Sequence, residues 1–338
     1  MTVLNIGVVL NKAFVFGAAL AILLVVLFFL DISLGSVYVP LSDILKPRGI
    51  YGEIIRIIRL PQAVGAVIIG ADLAVAGATM QAVFRNPLAD PYITGTASGA
   101  VLGVLLGMVM LFLFHIKAVI YIEPAFGFAG AMLATLMVII AGGKNDKMSI
   151  ILAGISVSVL FSALVMIMDS YVLTISPSFI SVIYALFGTL SGLNWNVDTI
   201  IATISIPALA YVALSGKRLN LIMMSDEIAQ SSGISPGHER LRALAASGVL
   251  TAVSLSFTGI IGFVGLITPH MVRLSIGDAD NRKVIPLAAL LGASVLSFSN
   301  FASKMLIHDV AVPITAITSL IGAPVMIYLI RKGRSIGN

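Results

Sequence analysis

The sequence predicts an all-α, polytopic membrane protein of ten transmembrane helices, and three observations carry that prediction. Hydrophobic residues make up 59% of the 338-residue chain and charged residues 10%, with a mean hydropathy of +1.09, far too apolar for a water-soluble globule. The apolar residues gather into runs of the roughly 20 residues that one bilayer crossing requires. The basic residues behind the net charge of +5 sit at the edges of those runs. In a soluble protein that charge would suggest nucleic acid, but here the positive-inside bias of membrane proteins accounts for it.

Taken in order, the runs are Ala13 to Leu30, Leu60 to Phe84, Tyr92 to Phe114, Ala118 to Ala141, Met148 to Met168, Val197 to Ser215, Ala243 to Ile260, Ile261 to Ile276, Val284 to Ser303 and Val312 to Ile330. The first is longer than a signal-peptide core and lacks a small-x-small cleavage site before Asp31, so it reads as a retained span. Ala243 to Ile276 is a single hydropathy peak, yet as one helix it would measure ~51 Å against a hydrocarbon core of ~30 Å. It must fold back, with Gly259, Gly262 and Gly265 marking the turn and Pro269 following. Ser178 to Leu193 fits an external or re-entrant helix better than a crossing.

Ten spans with the N-terminus inside place Lys12, Arg85, Lys144, Lys147, Lys217, Arg218, Arg240, Arg242, Arg273, Arg282, Lys283, Arg331, Lys332 and Arg334 in the cytoplasm. Only Lys46, Arg48, Arg56, Arg59, Lys117 and Lys304 remain outside. That asymmetry puts both termini in the cytoplasm of a multi-pass cell-membrane protein, a single transmembrane domain over residues 1–338. Gly65 to Pro91 and Gly248 to Met271 each run from a small-residue helix through a Gly-interrupted turn into a proline-bearing stretch. Running in opposite directions, they suggest inverted repeats; two merely small-residue-rich spans are the alternative.

The longest polar break, Ser215 to Arg242, then faces the cytoplasm. Ser225 suits an N-cap, Asp226 and Glu227 bring negative charge to a first helical turn, Gly233 suits a left-handed C′ position, and Pro236 blocks continuation. These signals define a helix of about two turns, too short to persist alone. Leu221, Ile222, Met223, Met224 and Ile228 give it a soft apolar side for a partner; an ordinary connecting loop is the alternative. The turn FRNPLADPY from Phe84, with Arg85, Asn86 and Pro87, is either a plain turn or a second surface beside that loop.

Gly99, Gly103 and Gly107 recur every fourth position, which favours close helix packing. Asp72 lies deep in a span, where a carboxylate is costly. It serves proton coupling, or is neutral and hydrogen-bonded between Gly70 and Gly77, or faces a wet cavity. Lys46, Arg48, Arg56 and Arg59, with Lys304 at another external corner, run against the charge bias and suggest docking of an acidic external partner; incidental basicity is the alternative. The four histidines, His115, His238, His270 and His308, show no metal-ligand spacing. Cysteine is absent, and so is the P-loop pattern of a nucleotide-binding chain.

Several strings together resemble the permease subunits of ATP-binding-cassette importers for iron siderophores, haem and cobalamin. They are RLPQ from Arg59, AVAGATMQAVFRNPLADPYITGTASGA from Ala74, LFGTLSGLNW from Leu186, SDEIAQSSGI from Ser225, GFVGLITPHMVRL from Gly262 and SLIGAPVMIYLIRK from Ser319. The resemblance implies a ten-span inverted-repeat permease working as a homodimer, with no catalytic residue, metal or cofactor of its own. ATP and magnesium would belong to two cytoplasmic ATPase subunits docked on Ser225 to Ile234. An external binding protein would dock at Arg56, Arg59 and Lys304. Gln62 stands where the family usually has a second arginine and Lys304 where it has an arginine. Asn300 stands where aspartate is common, Asp72 where alanine is common, and Thr315 where glycine is common. With Gly99, these last three are the pathway candidates. The cargo reading is a metal chelate of the iron–siderophore type, with cobalamin, haem, an oxyanion such as molybdate, or a proton-coupled carrier using Asp72 as alternatives.

Overall fold

The computed structural model describes residues 2–35, 49–114, 121–143, 146–175, 187–306 and 312–336, and every regular element among them is helical. Helix α1 (Thr2–Ser33) is followed by α2 (Gly49–Glu53), which passes through a π-helical segment, Ile54–Arg59, into α3 (Leu60–Phe84). A 3₁₀ turn, Pro91–Thr94, precedes α4 (Thr96–Leu113), after which come α5 (Ile122–Gly142), α6 (Lys147–Ile175) and α7 (Trp195–Leu214). Two short helices, α8 (Gly216–Met224) and α9 (Asp226–Ser231), lead to α10 (Pro236–Thr258), α11 (Val264–Ile276), α12 (Asn281–Met305) and α13 (Ile314–Ile336).

Among the described residues, eight helical stretches are long and apolar enough to cross a membrane, and Val264–Ile276 and Ile314–Tyr328 are shorter apolar helices. Within the expected run Ile261 to Ile276 the helix begins only at Val264. Gly259 and Phe263 both take left-handed φ, +75° and +68°, so the backbone leaves the helix between them. The 13-residue α11 then measures only ~20 Å. Gly265 lies inside α11 rather than at the turn, and Pro269 follows within the same helix. The polar break was also expected to hold one short helix. Gly216–Met224 is helical too, with Leu219 and Ile222 buried, and Pro236 opens α10 in the first-turn position where its missing N–H costs nothing. Lys46, Arg48 and most of Ser178 to Leu193 lie outside the described residues.

Helix α3 is the axis of the fold. In the most apolar window of the Gly49–Phe84 stretch 78% of residues are buried, against 11% for the corresponding window of α1. It can be surrounded because small residues let its neighbours approach backbone to backbone. A Cβ on Gly70 would stand 2.4 Å from the carbonyl oxygen of Gly292 on α12, and one on Gly77 would stand 1.9 Å from that of Gly265 on α11. Helices α4 and α5 pair in the same way, through Gly99 and Gly103 on one side and Gly130 on the other. In lipid the tails are as apolar as the side chains, so such packing, rather than hydrophobic burial, selects the partner.

Helices α3 and α7 run parallel and in register. Gly65 faces Asp198 at one level, and seven residues further along both helices Asp72 meets Ser205. The break between α10 and α11 is held by groups from elsewhere, as non-helical backbone within a bundle requires. The Tyr92 hydroxyl donates to Ile261 O, Thr315 Oγ1 donates to Ile260 O, and Thr189 N donates to Thr258 O at 2.8 Å.

Candidate functional site

At one end of the bundle, α8 and α9 project beside the α3–α4 connection. Ser225 is extended and its Oγ accepts from Ile228 N at 3.0 Å, so it caps α9. Gly233 takes φ +78°, the left-handed position that ends it. What roots the helix is a set of cations around Asp226. Arg240 of α10, 1% exposed, donates to Asp226 Oδ2 at 3.0 Å. Arg85 Nη2 donates to Oδ1 while its Nε reaches Ile222 O at 2.7 Å, and Lys147 Nζ stands 4.0 Å away. Burial pushes the Asp226 carboxyl up, but the Arg240 hydrogen bond and the charges of Arg240, Lys147 and Arg85 outweigh it, so the group lies below the usual carboxylate range.

Arg85 can serve here because it sits in the left-handed region, φ 54°, just past α3, which turns its side chain back along the bundle end. Asn86 and Pro87 are exposed at the turn, and Asn86 Oδ1 accepts from Leu88 N at 2.9 Å. Glu227 is fully exposed beside Asp226. The outer surface carries Leu88, Met224 and Ile228, all exposed: a small apolar face rimmed by charge. Behind α9 a cavity of about 350 Å³ is bordered by Arg218, His238, Glu239 and Arg242. On the far side of α8, Asn220 donates to Asp280 at 2.6 Å and accepts from Asn281 at 2.8 Å, with Asp280 held down to about 2 chiefly by hydrogen bonds from Arg282. The two short helices are therefore tied to α3, α6, α10 and α12 at once.

At the opposite end the structure rearranges the expected basic surface. Arg56 is exposed. Arg59 is 5% exposed, its Nη1 donating to the terminal carbonyls of α1, Ile32 O at 2.7 Å and Ser33 O at 2.9 Å. Lys304 pairs at 2.9 Å with Asp31 of α1, which is wholly buried and also accepts from Asn300 at 2.8 Å. These residues clamp the end of α1 onto α12 and the π-helical segment instead of forming a free cationic patch. Because one partner is wholly buried, Lys304→Met is expected to cost about 3–5 kcal/mol. Asp31→Asn in the same chain should restore most of the loss, as read by thermal unfolding in detergent.

Of the remaining candidates, Asp72 is wholly buried against Ser205 and Ser254. Gly99 lies in the α4–α5 contact, and Thr315 lies at the helix break. A cavity of about 450 Å³ opens beside that break, lined by Tyr92, Ser98, Val101, Ser158, Ser162 and Met166 among others, and none of the described residues lining it is charged. Sequence reasoning missed Asp31, Arg240, Asp198, Ser205 and Ser254. Asp31 carried a signal, a carboxylate at the end of an apolar run that faces external cations. Arg240, fourteen residues from Asp226, carried none.

A bundle of helices long enough to span a membrane, with a broken helix inside and an ion-paired helix at one end, suits a transport permease, and the family match makes the chain a component that moves a solute rather than an enzyme. The chain belongs to the FecCD transport family, whose model matches residues 23–332. It is similar to a cobalamin import system permease of Halobacterium salinarum, 34% identical over 82% of this chain and 73% of that one. A Fe(3+)-citrate import system permease of Bacillus subtilis is 32% identical over 91% of both chains. Among solved structures, one described as an inward-facing conformation of a metal-chelate type ABC transporter superposes with a TM-score of 0.83 at 28% identity, covering 94% of this chain and 98% of that one.

Proposed function

We propose that this chain is the membrane subunit of an ATP-binding-cassette importer that carries a metal chelate, foremost of the iron–siderophore type, from an external binding protein into the cytoplasm. The observation that carries the reading is the α8–α9 unit. A short capped helix exposes Met224 and Ile228 while its root is fixed by Asp226, Arg85 and Arg240, which suits force transmission from an ATPase better than any role within one chain. In this reading the α8–α9 end is cytoplasmic, as are both termini. The chain makes ten crossings organised as inverted repeats, and two copies form the pathway as a homodimer. Two ATPase subunits hold the ATP and magnesium, and contact Ser225, Asp226, Glu227, Ile228, Gly233 and the Arg85–Pro87 turn.

The binding protein docks at the opposite end, where Arg56 offers charge and Arg59 and Lys304 hold the surface in shape. Asn300 and Thr315 tune the pathway without taking up the cargo's charge. The uncharged, hydroxyl-bearing cavity beside the helix break favours a bulky chelate over a small oxyanion such as molybdate, because a bare oxyanion entering it would lose hydration with no cation to replace it. Cobalamin and haem are the alternatives that the same cavity admits. Mass spectrometry of what the cognate binding protein retains tests the cargo. A ferric chelate is expected; a corrin, a porphyrin or molybdate would replace it.

A further inference from the structure

Asp72 is the one ionisable side chain of α3, and it is wholly buried where α3, α7 and α10 meet. Both neighbouring hydroxyls point at the same oxygen. Ser205 Oγ of α7 donates to Oδ2, and Ser254 Oγ of α10 donates to it at 3.4 Å. Oδ1 has no hydrogen-bond partner among the described residues. Among the described residues, no cation is offered by the elements packed against this point. On α7 the titratable residues are Asp198, two turns away and itself without a hydrogen-bond partner, and Tyr211. On α10 they are His238, Glu239, Arg240 and Arg242, all in the first two turns, at least twelve residues or ~18 Å from Ser254. On α12 they are Arg282, Lys283 and Lys304, at its ends, and on α11 they are His270 and Arg273, beyond the Gly77 level. A carboxylate here would be an uncompensated charge at membrane depth, with one bare oxygen.

We infer that Asp72 is a proton-binding site that clamps α3 to α7 and α10. Oδ2 acts as the carbonyl that receives both hydroxyls, and Oδ1 carries the proton. The clamp holds only while these helices stay together. A step of transport that parts them admits water to Oδ1 and releases the proton to it; reclosure takes one back. The proton is conserved over the cycle and drives nothing, so the site is distinct from a coupling carboxylate. The conformational part of this inference rests on the importer reading, but the protonation itself does not.

Infrared spectroscopy of the purified chain in lipid nanodiscs, and of its complex with the ATPase subunits, tests both parts. The wild type should show the C=O stretch of a protonated carboxyl, shifted in D₂O, that Asp72→Asn removes and Asp198→Asn leaves. Should the asparagine variant fail to fold, Asp72→Ala serves the same purpose, and Ser205→Ala should move the band without abolishing it, since one of the two hydroxyls on Oδ2 is gone. In the complex the band should weaken on trapping with ATP. A band absent from the wild type, or present in both Asp72 variants, overturns the site; a band that trapping leaves unchanged overturns the link to conformation. If the chain shows the Asp72 band yet binds no ATPase subunit, the importer reading fails while the proton site stands.

Discussion

Asp226→Lys is expected to detach the ATPase subunits and loosen the α8–α9 unit, whereas Glu227→Lys next to it should do little. The side chains are adjacent and carry the same charge, so a pure helix-dipole effect would treat them alike. The structure does not. Asp226 joins Arg85 and Arg240 and has Lys147 nearby, and Arg240 is almost wholly buried. Lysine at position 226 would place a fourth cation among three and strip Arg240 of its carboxylate. Breaking a fully buried pair costs about 3–5 kcal/mol; since Asp226 itself is one third exposed, about 2 kcal/mol is the fitting size here. Hydrogen exchange across residues 216–235 should rise by more than tenfold in Asp226→Lys, and co-purification with the ATPase should fail. Equal exchange in the two variants would mean that the ion-paired root does not hold the helix.

Gly77→Leu should prevent assembly of the bundle. Even the first carbon of a new side chain would stand 1.9 Å from a backbone oxygen of α11, and no flexible side chain lies there to move aside. Overpacking in a well-packed interior costs typically 1–3 kcal/mol, and a backbone-on-backbone clash belongs at or above the top of that range. The matched control is Gly192→Leu, since none of the described residues lies within 4 Å of a Cβ there and its φ is not in the left-handed region. Size-exclusion profiles and thermal unfolding in detergent should separate the two completely. A Gly77→Leu protein that is monodisperse and as stable as wild type would show that α3 and α11 do not touch as described.

The fold class and the course of α3 were legible because hydropathy reports lipid exposure and span length directly; Leu60 to Phe84 ends where the helix ends. The cap at Ser225 and the left-handed Gly233 were legible because capping chemistry is local. The Asp226 cluster was not, since its partners come from three other helices and spacing along the chain does not encode them. Arg59 and Lys304 illustrate the same limit. As sequence they are cations outside the membrane, and only the folded position of Asp31 and of the α1 carbonyls turns them inward. The helix break was half legible. Length forced Ala243 to Ile276 to fold back, but glycine served two purposes there, chain reversal at Gly259 and close approach at Gly265, and sequence alone does not separate them.

On the importer proposal, movement of cargo is driven by ATP hydrolysis in partner subunits and not by a proton gradient through Asp72. Its most direct test is cargo uptake into proteoliposomes holding the wild-type chain or Asp72→Asn, either with the ATPase subunits, binding protein and ATP or with a proton gradient alone. Both proteins should accumulate cargo with ATP at comparable rates and neither should do so on the gradient. Gradient-driven uptake by the wild type that the asparagine variant loses would make the chain a proton-coupled carrier and overturn the importer proposal.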